Sequence, residues 1–280
     1  MGMDPIVSAE WVVEHLNDPT LRIVDCRFDM ADPERGRREY SLLHLPGAIY
    51  VDLEKDLTGN LGEHGGRHPL PDFDLFAAKM GNLGISPEHK VVAYDDQWGE
   101  FAGRFWCLMH LLGHEEVYLL DGGLLGWEKR GYPVTSDLPA YPPCTFKPRI
   151  RAPFLAMMSE VKEKLSSPET ILIDSRERRR YIGEAEPIDP IAGHIPGAKN
   201  FYYQEVINSE GSWKTPEQLK EHFGSIDPEK ELIVYCGSGI TACPNVIGLM
   251  RAGFKKVRLY AGSWSDWISY RENPIATGED

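Results

Sequence analysis

Short apolar runs of four to six residues recur along the chain and alternate with segments of helical spacing. ILID (171–174) and LIVY (232–235) carry no polar position in alternation, so they read as strands covered on both faces. SAEWVVEHL and TPEQLKEHF read as capped amphipathic helices. Buried strands alternating with helices predict an α/β architecture, each sheet mainly parallel and covered by helices on both faces. In such sheets ligands bind beyond the carboxyl ends of the strands.

The pattern is written twice. LRIVDCR (21–27) answers to ILIDSR (171–176), so Asp25 and Arg27 match Asp174 and Arg176. HLPGAI (44–49) answers to HIPGAK (194–199), KVVAYD (90–95) to ELIVYC (231–236), and VYLLDGGLLGW (117–127) to VRLYAGSWSDW (257–267). The offset is 149–150 at the first two pairs and 140–141 at the last two, which puts the surplus of the first copy between Ala48 and Lys90. Copies of this length are duplicated domains, not solenoid repeats. Six prolines between Pro133 and Pro153 mark an extended connection. The expected division is a domain over 1–135, a linker over 136–154 and a domain over 155–280. Met1-Gly2-Met3 is set aside from this reading.

Composition narrows the function. A chain of 280 residues with 42% apolar content can build two cores. No apolar run approaches the ~20 residues of a membrane span, and the first residues predict no secretory leader. A net charge of −13 argues against nucleic acid or an anionic membrane as the main partner. Cys26, Cys107, Cys144, Cys236 and Cys243 are odd in number and show no C-x-x-C spacing. They predict free thiols in a reducing, cytoplasmic setting, with neither a disulfide framework nor a metal site.

One thiol stands apart. Cys26 is matched by Ser175, Cys107 lies within the apolar FWCLMHLL, and Cys243 reads as core filler in preference to a resolving thiol. Cys236 instead follows its strand directly and opens CGSGIT, ahead of an apolar helical pattern. Glycines at 237 and 239 free the backbone to curl its N–H groups inward as an anion nest. A helix start just beyond adds partial positive charge, and both effects favour the nucleophilic thiolate. A cysteine phosphatase needs an arginine six positions after its nucleophile to clamp phosphate. Position 242 is Ala, so the nest suits something smaller, such as a persulfide sulfur.

These residues carry a family resemblance over nearly the whole chain: H-x-P-G-A in both halves, CGSGIT after a strand, and YAGSWSDW near the end. The chain resembles the two-domain rhodanese-type sulfurtransferases that use thiosulfate or 3-mercaptopyruvate. The resemblance implies a tandem of rhodanese-like domains with catalysis in the second. The residue matched to Cys236 in the first copy is Asp95, which cannot form a persulfide. It implies that Cys236 takes a sulfur from a small anionic donor and passes it to a thiophilic acceptor: cyanide, a small thiol or a thioredoxin-like protein. The N–H groups from Gly237 through Gly239 and Ile240 to Thr241 would hold that sulfur, without metal or organic cofactor.

By the same resemblance Ser238 matches the loop serine of the mercaptopyruvate branch. Arg180 matches an arginine that binds the donor's carboxylate or sulfonate. The branch has a second arginine nine positions on, where this chain has Asp189. His68, with Glu54, matches a histidine–acid pair proposed to form a relay with the loop serine, and the surplus of the first copy falls in this region. Asp25, Arg27, Asp174 and Arg176 are expected to tie strand ends, and His44 and His194 to shape turns. The expected protein is a cytoplasmic sulfurtransferase, a monomer or weak dimer, with no nucleic acid or membrane partner. A protein-fed sulfur-relay module and a cysteine phosphatase on the same fold are the rival readings.

Overall fold

The computed structural model describes residues 4–279; residues 1–3, set aside above, and residue 280 lie outside the described residues. The chain forms two compact units, 1–59 with 71–151 and 207–213, and 60–70 with 152–206 and 214–280. Each unit therefore includes a short segment from the other half of the sequence.

Five strands form the first sheet: β1 (Ile6–Val7), β2 (Leu21–Asp25), β3 (Ala48–Tyr50), β4 (Lys90–Tyr94) and β5 (Val117–Leu120). Four form the second: β6 (Thr170–Asp174), β7 (Lys199–Asn200), β8 (Glu231–Tyr235) and β9 (Val257–Leu259). All pairs are parallel, in the orders β1-β5-β4-β2-β3 and β7-β6-β8-β9. The shared order is that of the sequence duplication. Where the first sheet adds β1 beside β5, the second has a single parallel bridge from Leu155 to Leu259.

Local chemistry sets the helix starts. Ser8 Oγ accepts the Trp11 N–H at 3.1 Å to open the helix Ala9–His15. Thr215 and Gln218 form a reciprocal capping box at Pro216–His222. The cores repeat as well: Trp127 and Trp267 are both fully buried, and each indole donates to a proline carbonyl at 2.9 Å, Pro133 or Pro274. The proline-rich stretch lies along the first unit, with the N–H groups of Arg149 and Arg151 on the carbonyls of Leu112 and Leu111.

Matched charges tie the strand ends. Arg27 pairs with Asp25 and Arg176 with Asp174, both at 2.6 Å and both buried. Each arginine also donates to a carbonyl just before its H-x-P-G segment, Leu43 or Gly193. His44 and His194 stack on Tyr40 and Tyr181 at 4.2 and 3.9 Å between ring centres, and each pairs by its backbone in an antiparallel bridge. These four charges and two histidines hold turns, in the halves with and without the thiol alike.

The chain passes from β6 to β7 on one side of β6, and β8 then lies on the other. The gap beyond the carboxyl ends of β6 and β8 is thus the point where strand order reverses, the ligand position of open parallel sheets. Cys236 follows β8 there, and Arg176 and Arg180 follow β6.

Candidate active site

Cys236 is the first residue past β8 and is buried, 1% exposed. Its N–H donates to Ser263 Oγ at 3.1 Å, and its carbonyl accepts the Trp264 N–H at 2.9 Å. The Gly237 carbonyl accepts the Ser265 N–H at 2.9 Å, so the loop is laced to the start of the helix Ser263–Trp267. Gly239 reverses the loop at φ +80°, where an added Cβ would stand 2.1 Å from the Ala261 carbonyl oxygen. Only glycine fits there. The reversal brings the Gly239 N–H onto Cys236 Sγ at 3.1 Å, and the ten-residue helix Ala242–Arg251 then begins after Thr241. Ile240 is buried within the loop and Thr241 half-buried at the helix entry. Cys243 is fully buried, its thiol directed to the Gly239 carbonyl at 3.4 Å.

Ser238, two residues past the thiol, is buried and meets His68: Oγ and Nδ1 lie 2.8 Å apart. With the imidazole proton on Nε2, the hydroxyl donates to Nδ1. His68 belongs to the 60–70 segment, which packs in this unit. Glu54, grouped with His68 on sequence grounds, lies on the helix Leu53–Asp56 of the other unit and is exposed, its N–H on Asp52 Oδ1.

Arg180 is mostly buried and held by two acids, Glu186 at 2.8 Å and Asp189 at 3.1 Å. Burial alone would raise the Glu186 carboxyl, but bonds from Arg180 and from the Asp189 and Ile188 N–H groups hold it below the ordinary range. Asp189 also receives Arg67, through Nε at 2.9 Å and Nη2 at 3.2 Å. The two guanidiniums meet at Gly237: a Cβ there would lie 3.0 Å from Arg67 Nη2 and 3.4 Å from Arg180 Nη2. The loop has no charge of its own, yet two cations flank its first glycine.

Three participants escape the sequence reading. Arg67 stands beside His68 in GRHPLP but has no counterpart in the other copy to single it out. Glu186 gives no sequence signal. Ser263 sits in the GSW turn, and its φ of 58° is the one positive value on a non-glycine residue among those described. That conformation lets its hydroxyl oxygen receive the Cys236 N–H.

The first unit holds the matching loop with its nest filled. Asp95 Oδ1 accepts the N–H groups of Gln97 and Gly99, and Oδ2 those of Phe101 and Ala102, at 3.0–3.1 Å. A carboxylate thus occupies the place an exogenous anion would take. Trp213 covers the loop: a Cβ on Gly99 would lie 3.1 Å from its ring.

The model of the rhodanese-like domain matches twice, at residues 8–130 and 157–270. A probable 3-mercaptopyruvate sulfurtransferase of Pseudomonas aeruginosa is 42% identical over 100% of both chains. A thiosulfate sulfurtransferase of Mus musculus is 34% identical over 97% of this chain and 94% of its own. Among solved structures, the 3-mercaptopyruvate sulfurtransferase SseA from Escherichia coli superposes with a TM-score of 0.84 at 30% identity, covering 94% of this chain and 100% of its own.

Proposed function

Since the chain belongs to the rhodanese-like family, as a two-domain sulfurtransferase, we propose that 3-mercaptopyruvate is its donor and that Cys236 carries the sulfur as a persulfide. The observation that carries the choice of donor is the 2.8 Å pair of Ser238 and His68 beside the nucleophile. Attack of the Cys236 thiolate on the donor sulfur forms an S–S bond and breaks the C–S bond. The electron pair leaves on carbon as the enolate of pyruvate. That enolate needs a hydrogen-bond donor at its oxygen and a proton at its carbon. With the imidazole proton on Nδ1 instead, His68 donates to Ser238 Oγ and frees the hydroxyl to supply the first, and the donor's own thiol proton balances the second. The products are pyruvate and a Cys236 persulfide anion. An acceptor such as cyanide then takes the outer sulfur as thiocyanate and restores the thiolate.

Thiosulfate releases sulfite, already a stable anion, and needs no such help. The guanidiniums of Arg67 and Arg180 favour it as a second donor, since they suit a dianion. Sulfur in the loop is held by the Gly239 N–H, which already contacts Sγ. The donor is small and the acceptor thiophilic; cyanide, a small thiol and a thioredoxin-like protein are the acceptors proposed. Free thiols at all five cysteines support a cytoplasmic setting, and a monomer or weak dimer is the proposed form.

The test compares kcat/KM for 3-mercaptopyruvate and thiosulfate, with mass spectrometry of Cys236 after exposure to each donor. The reading expects mercaptopyruvate to win and one sulfur to be gained, with no gain in Cys236→Ser. Preference for thiosulfate overturns the donor. Absence of the added sulfur with either small donor overturns the carrier and favours a protein-fed relay.

A further inference from the structure

We propose that Arg67 is a second cation for the anionic end of the donor and that Asp189 is its anchor; this rests on the mercaptopyruvate reading above.

The backbone before Arg67 is fixed to the helix start that also holds Cys236. Gly65 N–H donates to Asp266 Oδ1 at 2.7 Å, Arg67 N–H to Ser265 Oγ at 3.1 Å, and His64 Nδ1 meets Ser269 Oγ at 2.8 Å. Gly66, at φ +79°, passes so close to the Gly262 carbonyl that a Cβ would stand 2.4 Å from its oxygen. The arm is therefore a placed element, and Arg67 issues from it toward Asp189.

Asp189 and Glu186 are the deep members of the cluster, with side chains 1% and 3% exposed. Arg180 and Arg67 are the outer members, 15% and 35% exposed. Asp189 Oδ2 accepts from both Arg180 Nη2 and Arg67 Nη2, so one carboxylate holds two guanidiniums side by side. Neither Nη1 takes part in these bonds, and Arg180 Nη1 lies 3.6 Å from where a Gly237 Cβ would be. Buried acids behind and guanidinium edges in front, one residue from the nucleophile, make a two-pronged receptor for a carboxylate. Arginine at 189 in place of Asp would put a third guanidinium beside Arg67 and Arg180 and leave Glu186, already paired with Arg180, to oppose them. The acid at 189 therefore exchanges one cation in sequence for another in space.

The test is steady-state kinetics of Arg67→Met with 3-mercaptopyruvate, with its carboxylate-free analogue mercaptoacetone, and with thiosulfate. Loss of a charge-assisted fork should raise KM for mercaptopyruvate about 10-fold to 100-fold while kcat changes less than about threefold. Mercaptoacetone kinetics should not change, and Arg67→Lys should recover part of the KM. Equal losses with mercaptoacetone mean a structural role and overturn the proposal, as does an unchanged KM for mercaptopyruvate. Should Arg67→Met not fold, Arg67→Lys carries the same reading, a smaller KM rise confined to the carboxylate donor. A wild-type protein that rejects mercaptopyruvate defeats the donor assignment alone. Arg67 is then judged on the thiosulfate KM, and an unchanged value in Arg67→Met overturns it.

Discussion

His68 Nδ1 and Ser238 Oγ lie 2.8 Å apart across 170 residues of chain, both buried, beside a thiol that also lies in the second unit. In the proposed reaction the pair acts on the leaving group and not on the nucleophile, so its weight depends on the donor. Ser238→Ala and His68→Gln should each lower kcat/KM for 3-mercaptopyruvate by about 100-fold, the lower range for proton-handling groups. The double variant should lose little more than either single one, because the two act as a unit. Turnover of thiosulfate should fall less than about fivefold, since sulfite departs without a proton. Equal losses with both donors in thiocyanate-forming assays would place the pair in loop structure instead.

Asp95 gives the first unit its own counter-ion. Burial pushes its carboxyl above the ordinary range, against the pull of the N–H groups of Ala102, Gln97 and Gly99. Asp95→Ala leaves four N–H donors without their acceptor, those of Phe101 and Ala102 buried, and should cost about 3 kcal/mol of stability in urea denaturation. Turnover per folded molecule should stay at the wild-type level. An unchanged urea midpoint would mean that water replaces the carboxylate at no cost.

Much of this was legible in the chain because duplication doubles every signal. The paired strands, the H-x-P-G turns and the Asp–Arg ties recur at fixed offsets, and each recurrence separates structure from chemistry. Cys236 stood out because its partner position is Asp95. Arg67 and Glu186 did not, because their importance comes from side chains that meet 122 and six residues away, at Asp189 and Arg180. Periodicity cannot report such encounters. Asp189 reads from sequence as a lost cation, and only its placement between two guanidiniums turns it into a support. Ser263 was hidden for another reason: a positive φ on serine has no sequence mark.

Ser263 stores backbone strain at the nucleophile. Its hydroxyl oxygen receives the Cys236 N–H, and the hydroxyl lies 3.0 Å from the Tyr260 carbonyl and 3.9 Å from Cys236 Sγ. Ser263→Ala keeps the strain and removes the acceptor; it should slow persulfide formation about 10-fold and lower stability by about 1 kcal/mol. Ser263→Gly loses the same hydroxyl but relieves φ, and should regain roughly 1 kcal/mol without regaining rate. Stopped-flow sulfur loading and urea melts of the two variants separate the terms. Equal loading by both variants and wild type would limit Ser263 to a turn.

Acid should destabilise the protein well before its carboxylates protonate. His114 is buried, and desolvation, against the Ser86 carbonyl near its Nε2, holds its pKa down at about 4. Burial does the same to His110, beside Arg151, and to His222, beside Lys214, each to about 4. The folded protein keeps these rings neutral while the unfolded chain takes up protons near pH 6.5. The unfolded state therefore binds more protons across this window, and stability falls as pH drops from about 6.5 toward 4. His114 alone contributes a slope approaching about 1.4 kcal/mol per pH unit. Urea midpoints should be level above pH 7 and decline between pH 6.5 and 5, and His114→Gln should make that decline shallower by about one proton. A midpoint that stays flat from pH 7 to 5 would mean that these rings protonate in place, with water or carbonyls accepting the added charge.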